Sequence, residues 1–416
     1  MTISTNDNCN TIQIILKAGK ILVESGAEIY RVEQTMGYLA NALGMKDFDA
    51  YVISNGIMAS AINTHGQQEA AILNVYEQHI NLGKIEAVNT LSRQLIATSN
   101  PSAKTILKQL NAIDQMKDYN LYYYLLAYFM GAGAFSLALG SSLSDSCAAA
   151  LTGLFLGLTL HSIAHFVHTG FLLTIIGSSV ACLSVNLLHL IISNNHRSLI
   201  LLGALMVLVP GAIFTSSVRE FSQNNFSTGL TLLMSSLFIC ISISVGVVAV
   251  TELFSFAKPL QQNFSADTKT FFELIIRAIM AGIGTIAFAI LFQVPKRYFL
   301  DLGSLGGLSW LLYLLIMQHN HIEALAVFIP GLLGSFLSRI LATKRKCPMT
   351  IFLSISMMPL IPGLSLYRAI YFLLTGANQL AIVHLRSCFI TALMIAIAIN
   401  IVQQFPKHFF NNRFLS

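Results

Sequence analysis

Ten apolar runs, each long enough to cross a bilayer, occupy the chain after residue 118. A spanning helix needs about 20 apolar residues, and only helices or closed barrels satisfy their backbone polar groups in lipid. Charged residues make up 10% of the chain, against about 25% in soluble proteins. We therefore predict a polytopic α-helical membrane protein with about ten transmembrane helices. The runs lie at about 121–140, 147–165, 170–192, 199–216, 229–254, 273–292, 299–317, 322–341, 349–375 and 381–402.

Residues 1–118 have a different composition and predict a small cytoplasmic α+β domain. They hold 11 of the 18 acidic and 9 of the 24 basic residues, so the remaining chain is basic. Helical periodicity marks two segments, and alternating apolar residues mark strands with Asn55-Gly56 as the hairpin turn. The predicted elements are helices at about 11–24, 29–43, 81–98 and 101–115 and strands at about 48–54, 57–63 and 68–75.

A proline and a glycine interrupt two of the apolar runs, at Pro210-Gly211 and again 152 residues later at Pro362-Gly363. Proline removes a helical hydrogen bond and kinks the helix. In lipid, the freed carbonyl groups must be satisfied by protein or by water in a cavity. Interrupted segments at matching places in two halves indicate the substrate site of a transporter. We therefore expect paired helix breaks around a small polar substrate.

The apolar runs divide into two sets of five, residues 119–258 and 270–403, with the interruption in the fourth run of each. The first run of each set carries two glycines that would let helices approach closely, Gly131/Gly133 and Gly282/Gly284. Because five is odd, the second set would enter the membrane from the opposite side. This arrangement is an inverted repeat, which is common in secondary transporters.

Basic residues in the short loops predict the orientation. Lys296, Arg297 and the segment 344–346 fall in loops on the side of residues 1–118, so both termini are expected in the cytoplasm. We read the basic excess as setting orientation and not as binding nucleic acid. Six scattered cysteines are expected to be buried thiols.

Polar residues near the interruptions are the candidate substrate-binding or gating residues. Ionisable groups at membrane depth are costly and usually serve a site or a partner. Two alternatives stay open: the Arg219-Glu220 pair could lie in a cytoplasmic loop, and Arg368 could extend to the interface. The hydroxyl groups could also bond their own helix backbone. The candidates are Pro210, Gly211, Thr215, Ser216, Arg219, Glu220, Pro362, Gly363, Ser365, Tyr367 and Arg368.

Glu28, Arg31 and Glu33 form a charged cluster in the N-terminal domain. Ser25 and Glu28 have the spacing of a capping box that would start a helix. Glu28 and Arg31 can be read as a solvated ion pair with a helix cap, or as a functional cluster that contacts the membrane domain or a ligand.

Three histidines, His161, His165 and His168, would share a helix face if the helix continues through them. A metal site or a proton relay is one interpretation. No carboxylate or cysteine is close in sequence, so neither a metal nor another cofactor is expected. The chain shows no nucleophile–base pattern and no glycine-rich phosphate loop, so it is not expected to be an enzyme.

Three motifs resemble those of the threonine/serine exporter family (ThrE type). They are residues 26–33 (GAEIYRVE), 210–220 (PGAIFTSSVRE) and 359–368 (PLIPGLSLYR), in the family's order. The resemblance implies an exporter of the bacterial inner membrane, driven by the proton-motive force, that moves threonine and serine outward. The chain departs from the family pattern in having Glu220 where Asp is frequent and Ser216 where Asn is frequent. Acidic residues often found just downstream are missing from 223–229.

The leading hypothesis is therefore a proton-coupled secondary exporter of small amino acids, with the lipid bilayer, protons and the substrate as its partners. A dicarboxylate (succinate-like) exporter is the alternative, because related two-subunit systems are associated with such substrates. From another class, the N-terminal domain could be a sensing or enzymatic module on a membrane anchor, although one or two spans would suffice for that. Assembly into a homo-oligomer is compatible with the sequence.

Overall fold

A computed structural model of the chain describes residues 11–76, 79–96, 102–167, 169–191, 196–254, 256 and 270–406. Within these residues the chain forms two compact units. The first takes in the chain up to Asp118 together with Phe292–Pro295 and Lys346–Ile351. The second contains the rest of the chain from Tyr119 onward.

The first unit combines four helices with a three-stranded antiparallel sheet of order β1-β2-β3. Helix α1 is its centre, because nine of its residues are buried, including Ile15 and Ala18 with no exposed surface. It packs against the second, third and fourth helices and against two strands. The elements are α1 (Thr11–Glu24), α2 (Ile29–Ala42), β1 (Lys46–Ile53), β2 (Gly56–Ile62), β3 (Gln68–Asn74), α3 (Leu82–Ile96) and α4 (Ala103–Asp114).

Helix α2 begins differently from the sequence prediction. Its N-cap is Glu28 in an extended conformation, and no side chain caps it, so the capping box from Ser25 is wrong. Ser25, Gly26 and Ala27 instead close helix α1. The amide of Gly26 donates to Val23 O and that of Ala27 to Leu22 O, both at 3.0 Å. Gly26 takes a φ of +80°, which a residue with a Cβ atom rarely adopts.

The hairpin turn also lies one residue earlier than predicted. Ile53 pairs with Gly56, so the two turn residues are Ser54 and Asn55, and neither Asn55 nor Gly56 has a positive φ. This register places Ile57, Ala59 and Ala61 of β2 on the buried face. A shift of one residue would turn these three side chains to the opposite face, so burial overrides the local preference of Asn-Gly.

The second unit is helical throughout the residues described. Eight of its helices are long and apolar enough to cross a membrane, and a ninth candidate is Met349–Ser356 with Met358–Leu374, bent by 41°. The helices are α5 (Leu121–Ala138), α6 (Leu143–Ile163), α7 (Gly170–Ile191), α8 (Arg197–Leu205), α9 (Gly211–Ser222), α10 (Phe226–Leu253), α11 (Phe271–Leu291), α12 (Phe299–Asn320), α13 (Glu323–Arg345), α14 (Met349–Ser356), α15 (Gly363–Leu374) and α16 (Asn378–Gln404).

The count of ten spans is therefore replaced by eight or nine among the described residues. The difference arises at the run predicted for 199–216, which is divided into α8, of 9 residues, and α9, of 12 residues. Neither helix alone reaches the roughly 20 residues that a full crossing requires.

The helices of the second unit contact one another in two parallel series. Helix α5 packs on α6, α6 on α7, α7 on α10 and α9 on α10. In the same way, α11 packs on α12, α12 on α13, α13 on α16 and α15 on α16. Contacts between the series join α5 to α11, α9 to α16, α10 to α15 and α9 to α15. These last contacts bring the two interrupted runs together.

Small residues allow the closest of these helix contacts. A Cβ atom on Gly282 of α11 would lie 2.6 Å from the carbonyl oxygen of Gly303 on α12. One on Gly133 of α5 would lie 2.9 Å from Cβ of Ala150 on α6. Glycines thus let neighbouring backbones meet, as helices in lipid commonly do.

We predict that Gly153→Ala lowers the melting temperature of the detergent-solubilised protein, whereas Gly331→Ala does not. The added Cβ at Gly153 would collide with the carbonyl oxygen of Tyr128, whereas at Gly331 its nearest neighbour would be Cβ of Ala398 at 3.4 Å. Overpacking costs about 1–3 kcal/mol. Both variants replace a glycine inside a helix by alanine, so both gain the same helix propensity and this effect cancels when they are compared. Equal melting temperatures for the two variants would contradict the close α5–α6 packing.

Candidate functional site

Helices α9 and α15 each begin directly after a proline in the same conformation. Pro210 has φ −82° and ψ 43°, and Pro362 has φ −78° and ψ 33°. The amide of Gly211 donates to Val209 O at 2.9 Å, and that of Gly363 donates to Ile361 O at 2.8 Å. A hydrogen bond across one residue with these angles forms an inverse γ-turn. In both interrupted runs, the helix after the break (α9 or α15) therefore begins with the same inverse γ-turn.

The two turns touch each other at their glycines. A Cβ atom on Gly211 would lie 3.0 Å from Cα of Gly363 and would collide with Cγ2 of Ile361. One on Gly363 would lie 3.2 Å from Cα of Gly211 and 2.7 Å from Cγ1 of Val209. Backbones approach this closely only where side chains are missing. The structure thus brings together the two Pro-Gly pairs that lie 152 residues apart in the sequence.

The helix starts at this contact carry polar backbone groups. The amides of Phe214 and Leu366 bond to the carbonyl oxygens of Pro210 and Pro362, each at 3.0 Å. The amides of the residues between each proline and Phe214 or Leu366 come before the first turn of the helix is complete, so the helix offers them no carbonyl group to bond. Helix N-termini carry a partial positive charge and bind carboxylate and phosphate groups. Two such N-termini in contact can attract an anionic group.

Two buried hydroxyl groups occupy equivalent positions, on the fifth residue after each proline. Thr215 is 7% exposed, and Tyr367 has no exposed surface. Neither hydroxyl has a hydrogen-bond partner among the protein groups that the structure describes. A buried polar group without a partner costs about 1–3 kcal/mol. Ser217, which is also buried on α9, differs because its hydroxyl donates to Phe214 O at 2.7 Å. Thr215 and Tyr367 are therefore the candidates for contact with a ligand.

The structure rejects the interpretation of Arg219 and Glu220 as loop residues. Helix α9 continues to Ser222, and both side chains are buried. The Glu220 carboxylate accepts a hydrogen bond from Nδ2 of Asn225 at 2.8 Å. With a rise of about 1.5 Å per residue, Glu220 lies about 13 Å along the helix from Gly211. An acceptor for the ammonium group of a substrate at the break would have to lie close to it, and Glu220 does not.

The remaining candidates lie in the first turns of the two helices. Ser216 and Ser365 are partly buried. Arg368 is also partly buried and lies between the buried residues Tyr367 and Ala369. It is about 7 Å along the helix from Gly363, so it is closer to the break than Arg219 is.

The charged cluster of the first unit is less exposed than a solvated ion pair. Glu28 is 6% exposed, and its Oε2 lies 3.4 Å from Nε of Arg31. The Arg31 guanidinium also lies 5.4 Å from the ring centre of Tyr30. The solvated-pair interpretation is therefore wrong, because the carboxylate is buried.

Glu33 contacts the sheet instead. Its Oε1 accepts a hydrogen bond from the amide of Val52 at 3.3 Å. Burial raises the pKa of Glu33 above its ordinary value; the Val52 amide opposes this effect, and the charge of Asp49 adds to it.

The helix that carries His161 does not continue to His165, so these two histidines do not share a helix face. Helix α6 ends at Ile163, before His165. The rings of His161 and His165 are 5.6 Å apart, and Nδ1 of His165 lies 3.1 Å from the carbonyl oxygen of His161. His168 lies outside the described residues. The structure thus assembles no relay from the two histidines that it describes.

Sequence reasoning missed one polar contact between helices. Glu323, the first residue of α13, accepts hydrogen bonds from Ser387 and Thr391 of α16. A carboxylate at the start of an apolar run, together with hydroxyl residues four apart in another run, was the available signal.

Asp145 forms a second polar contact that none of the sequence motifs indicates. Asp145 has no exposed surface, and it accepts hydrogen bonds from the backbone amide of His196 at 3.1 Å and from that of Ser142 at 3.3 Å.

Comparisons with known proteins identify relatives over nearly the whole chain. The family described as "Putative threonine/serine exporter" matches residues 13–254, and that described as "Threonine/Serine exporter, ThrE" matches residues 277–405. The "Probable threonine/serine exporter" of Mycobacterium tuberculosis (strain ATCC 25618 / H37Rv) is 20% identical over 374 residues. The alignment covers 86% of this chain and 69% of that protein. No solved structure matches.

The half-buried ion pair of Glu28 and Arg31 leads to a double-variant prediction. Arg31→Ala should make residues 11–118 more sensitive to protease in the full-length protein, because Glu28 stays buried without its arginine partner. Glu28→Gln combined with Arg31→Ala should restore resistance. If the double variant stays as sensitive as Arg31→Ala, the arginine does not act through Glu28. Transport measured for the two variants then distinguishes a structural role of the pair from a functional one. If the role is purely structural, the double variant regains transport as well as resistance to protease.

Proposed function

Because the chain belongs to the threonine/serine exporter family, we propose that it is a secondary active exporter of small amino acids, driven by protons. The observation that carries the proposal is the contact of Gly211 with Gly363, which joins two helix breaks in the membrane unit. Breaks of this kind bind substrate in secondary transporters. The name of the mycobacterial relative supports export of threonine and serine. Membership of an exporter family also favours transport over a membrane-anchored enzymatic domain.

We further propose that the two helix series, within residues 119–258 and 270–403, are inverted repeats. Their matching contacts support this assignment, as does the division of the family matches between residues 254 and 277. Each series contains one Pro-Gly break with the same turn. Alternating access would then consist of one repeat moving against the other around a fixed site.

Two arginines bind the backbone at the ends of the two series, although they come from different places in them, α8 and α13. Arg197 donates to the carbonyl oxygen of Phe256, just after α10, at 3.2 Å. Arg339 donates to the carbonyl oxygen of Phe405, just after α16, at 2.6 Å. An arginine thus binds the backbone beyond the last helix of each series. In an inverted repeat these two contacts would lie on opposite sides of the membrane.

We assign the protein to the bacterial inner membrane with both termini in the cytoplasm. Lys296 and Arg297 precede α12, and Lys344 and Arg345 end α13, so these ends carry positive charge. Arg345 also pairs with Asp301 at 2.9 Å. The positive-inside rule places such loops in the cytoplasm.

In the proposed site, the N-termini of α9 and α15 hold the substrate carboxylate. The hydroxyl groups of Thr215 and Tyr367 bond its polar groups, and Ser216, Ser365 and Arg368 complete the surroundings. Arg219 and Glu220, at the far end of α9, have a gating role.

Dicarboxylate export is a second candidate with a specific observation in its favour. Residues 209–218 and 360–368 contain no acidic residue, so the break offers positive helix ends and Arg368 but no carboxylate for an ammonium group.

Flux in proteoliposomes tests the proposed function. With an imposed proton gradient, the wild-type protein should move labelled threonine and serine, and it should prefer them to succinate. Gly211→Leu and Gly363→Leu should abolish flux, because a side chain at either glycine meets the opposite turn. Gly170→Leu is the matched control, since a Cβ atom there meets nothing within 4 Å.

The outcomes separate the alternatives. Preference for succinate would favour dicarboxylate export. Wild-type flux in both glycine variants would mean that the substrate passes elsewhere. Failure of these two variants to insert, while Gly170→Leu inserts, would mean that the breaks serve folding.

The unpartnered hydroxyl groups give an independent prediction. Thr215→Val and Tyr367→Phe should raise the KM for threonine while the melting temperature stays the same or rises, because each removes a buried hydroxyl without a protein partner. Ser217→Ala is the control, because it removes a bonded hydroxyl and should lower the melting temperature without changing the KM. An unchanged KM in both test variants would remove these hydroxyls from the site.

A further inference from the structure

The Glu323 carboxylate joins helix α13 to helix α16. It is partly buried, and its Oε1 accepts hydrogen bonds from the hydroxyl groups of Ser387 and, at 3.4 Å, of Thr391. These two residues are four apart on α16 and so lie on the same helix face. One carboxylate oxygen thus connects two turns of the neighbouring helix.

The chemistry of its partners distinguishes Glu323 from the other buried carboxylates. A hydroxyl group can donate to a carboxylate and can accept from a carboxylic acid, so Glu323 can keep its partners in both protonation states. Asp145 instead accepts from the backbone amides of Ser142 and His196 and lies 3.0 Å from Nδ1 of the His196 ring, and Glu220 accepts from the side-chain amide of Asn225. An N–H group can only donate, and it therefore stabilises the ionised form of the carboxyl group. Both side-chain partners of Glu323 are hydroxyl groups, which can stay bonded to it while it gains and loses a proton.

The same stretch of α16 contacts both broken helices. Phe389 packs against Phe214 of α9, with ring centres 5.8 Å apart and planes at 71°. His384 stacks on Phe372 of α15, with ring centres 5.5 Å apart and planes at 13°. Residues 384–391 therefore connect Glu323 with α9 and with α15. A change in the contact between α13 and α16 can reach the proposed substrate site through two turns of one helix.

We propose that Glu323 is the carboxyl group that binds and releases the coupling proton, an inference that rests on the proposed export function. A proton arriving from one side forms an O–H bond with the carboxylate, and the same bond breaks when the proton leaves on the other side. Protonation removes the negative charge toward which Ser387 and Thr391 donate. One of these hydroxyl groups then rotates to accept the new O–H. The altered contact lets α16 move relative to α13 and carries the broken helices with it.

Few other titratable groups face Glu323. Helix α13 packs against α12 and α16. Tyr313 of α12 and Cys388 of α16 lie close enough to interact with its charge. His319 and His321 stand at the connection before α13, and Arg386 on α16 is exposed. His384 also lies on the connecting stretch of α16, and it is compared directly in the test.

The main test is the variant Glu323→Gln in proteoliposomes. Glutamine keeps an oxygen that accepts from Ser387 and Thr391 but does not titrate, so the helix contact is preserved. The variant should lose threonine accumulation driven by a proton gradient, and it should keep exchange of labelled for unlabelled threonine. Glu323→Asp should retain proton-driven accumulation. The control Glu252→Gln, an exposed carboxyl group near the end of α10, should behave as the wild type.

Unchanged proton-driven accumulation in Glu323→Gln would overturn the proposal. It would also be overturned if His384→Gln abolished that accumulation while Glu323→Gln did not. If Glu323→Gln fails to insert, Ser387→Ala and Thr391→Val take its place. They should shift the pH midpoint of accumulation, and an unshifted midpoint in both overturns the proposal.

A spectroscopic measurement separates this inference from the proposed function. Infrared difference spectra of the purified protein in lipid vesicles, taken between acidic and alkaline pH, should contain a protonated-carboxyl band that Glu323→Gln removes. If the wild-type protein transports none of the tested substrates, the export proposal fails, and this band still reports whether Glu323 takes up the proton. Persistence of the full band in Glu323→Gln would show that another group binds it.

Discussion

The membrane unit depends on the contact of two glycine backbones, Gly211 against Gly363. Each glycine follows a proline in an inverse γ-turn, and each supplies the space that the other turn occupies. The helices that begin there, α9 and α15, pack on α16 and α10 of the opposite series, so the contact also fixes which helices become neighbours. This glycine contact positions the N-termini of α9 and α15 and the buried hydroxyl groups on them. It also positions α10 and α16, the last helices of the two series.

The charged and hydrogen-bonding groups near this glycine contact differ from those elsewhere on the helices. Groups near the breaks are neutral or positive, whereas the buried carboxylates of Asp145 and Glu220 and the partly buried one of Glu323 lie on other parts of the helices. Asp145 and Glu220 accept hydrogen bonds from N–H groups and serve as fixed anchors. Glu323 accepts from hydroxyl groups, which can donate to its carboxylate and can accept from its carboxylic acid. Under our proposals, substrate recognition and proton binding belong to different residues, on helices α9, α15 and α13, which all contact α16.

The sequence predicts the parts of this structure that depend on local patterns. Apolar length predicts the membrane helices, and the Pro-Gly pairs predict where two of them break. Gly211 and Gly363 could be paired because they occupy matching places in two sets of runs. The burial of Arg219 and Glu220 could not be predicted, since it depends on how far α9 continues and on what packs around it. The link from Glu323 to Thr391 joins helices 68 residues apart in the sequence, and no local pattern specifies such a pair. In the first unit, the turn at Ser54 and Asn55 follows the burial of β2 and not the preference of Asn-Gly.

The glycine contact also bears on how such a chain can evolve. The space available to residue 211 is set by residues 361 and 363, and that available to residue 363 is set by residues 209 and 211. A substitution in one half can therefore be compensated only by a change in the other, so the two halves share a single mutational history at this point. If the two halves are repeats, as we propose, they can diverge elsewhere in the sequence, whereas at this contact a change in one half requires a matching change in the other.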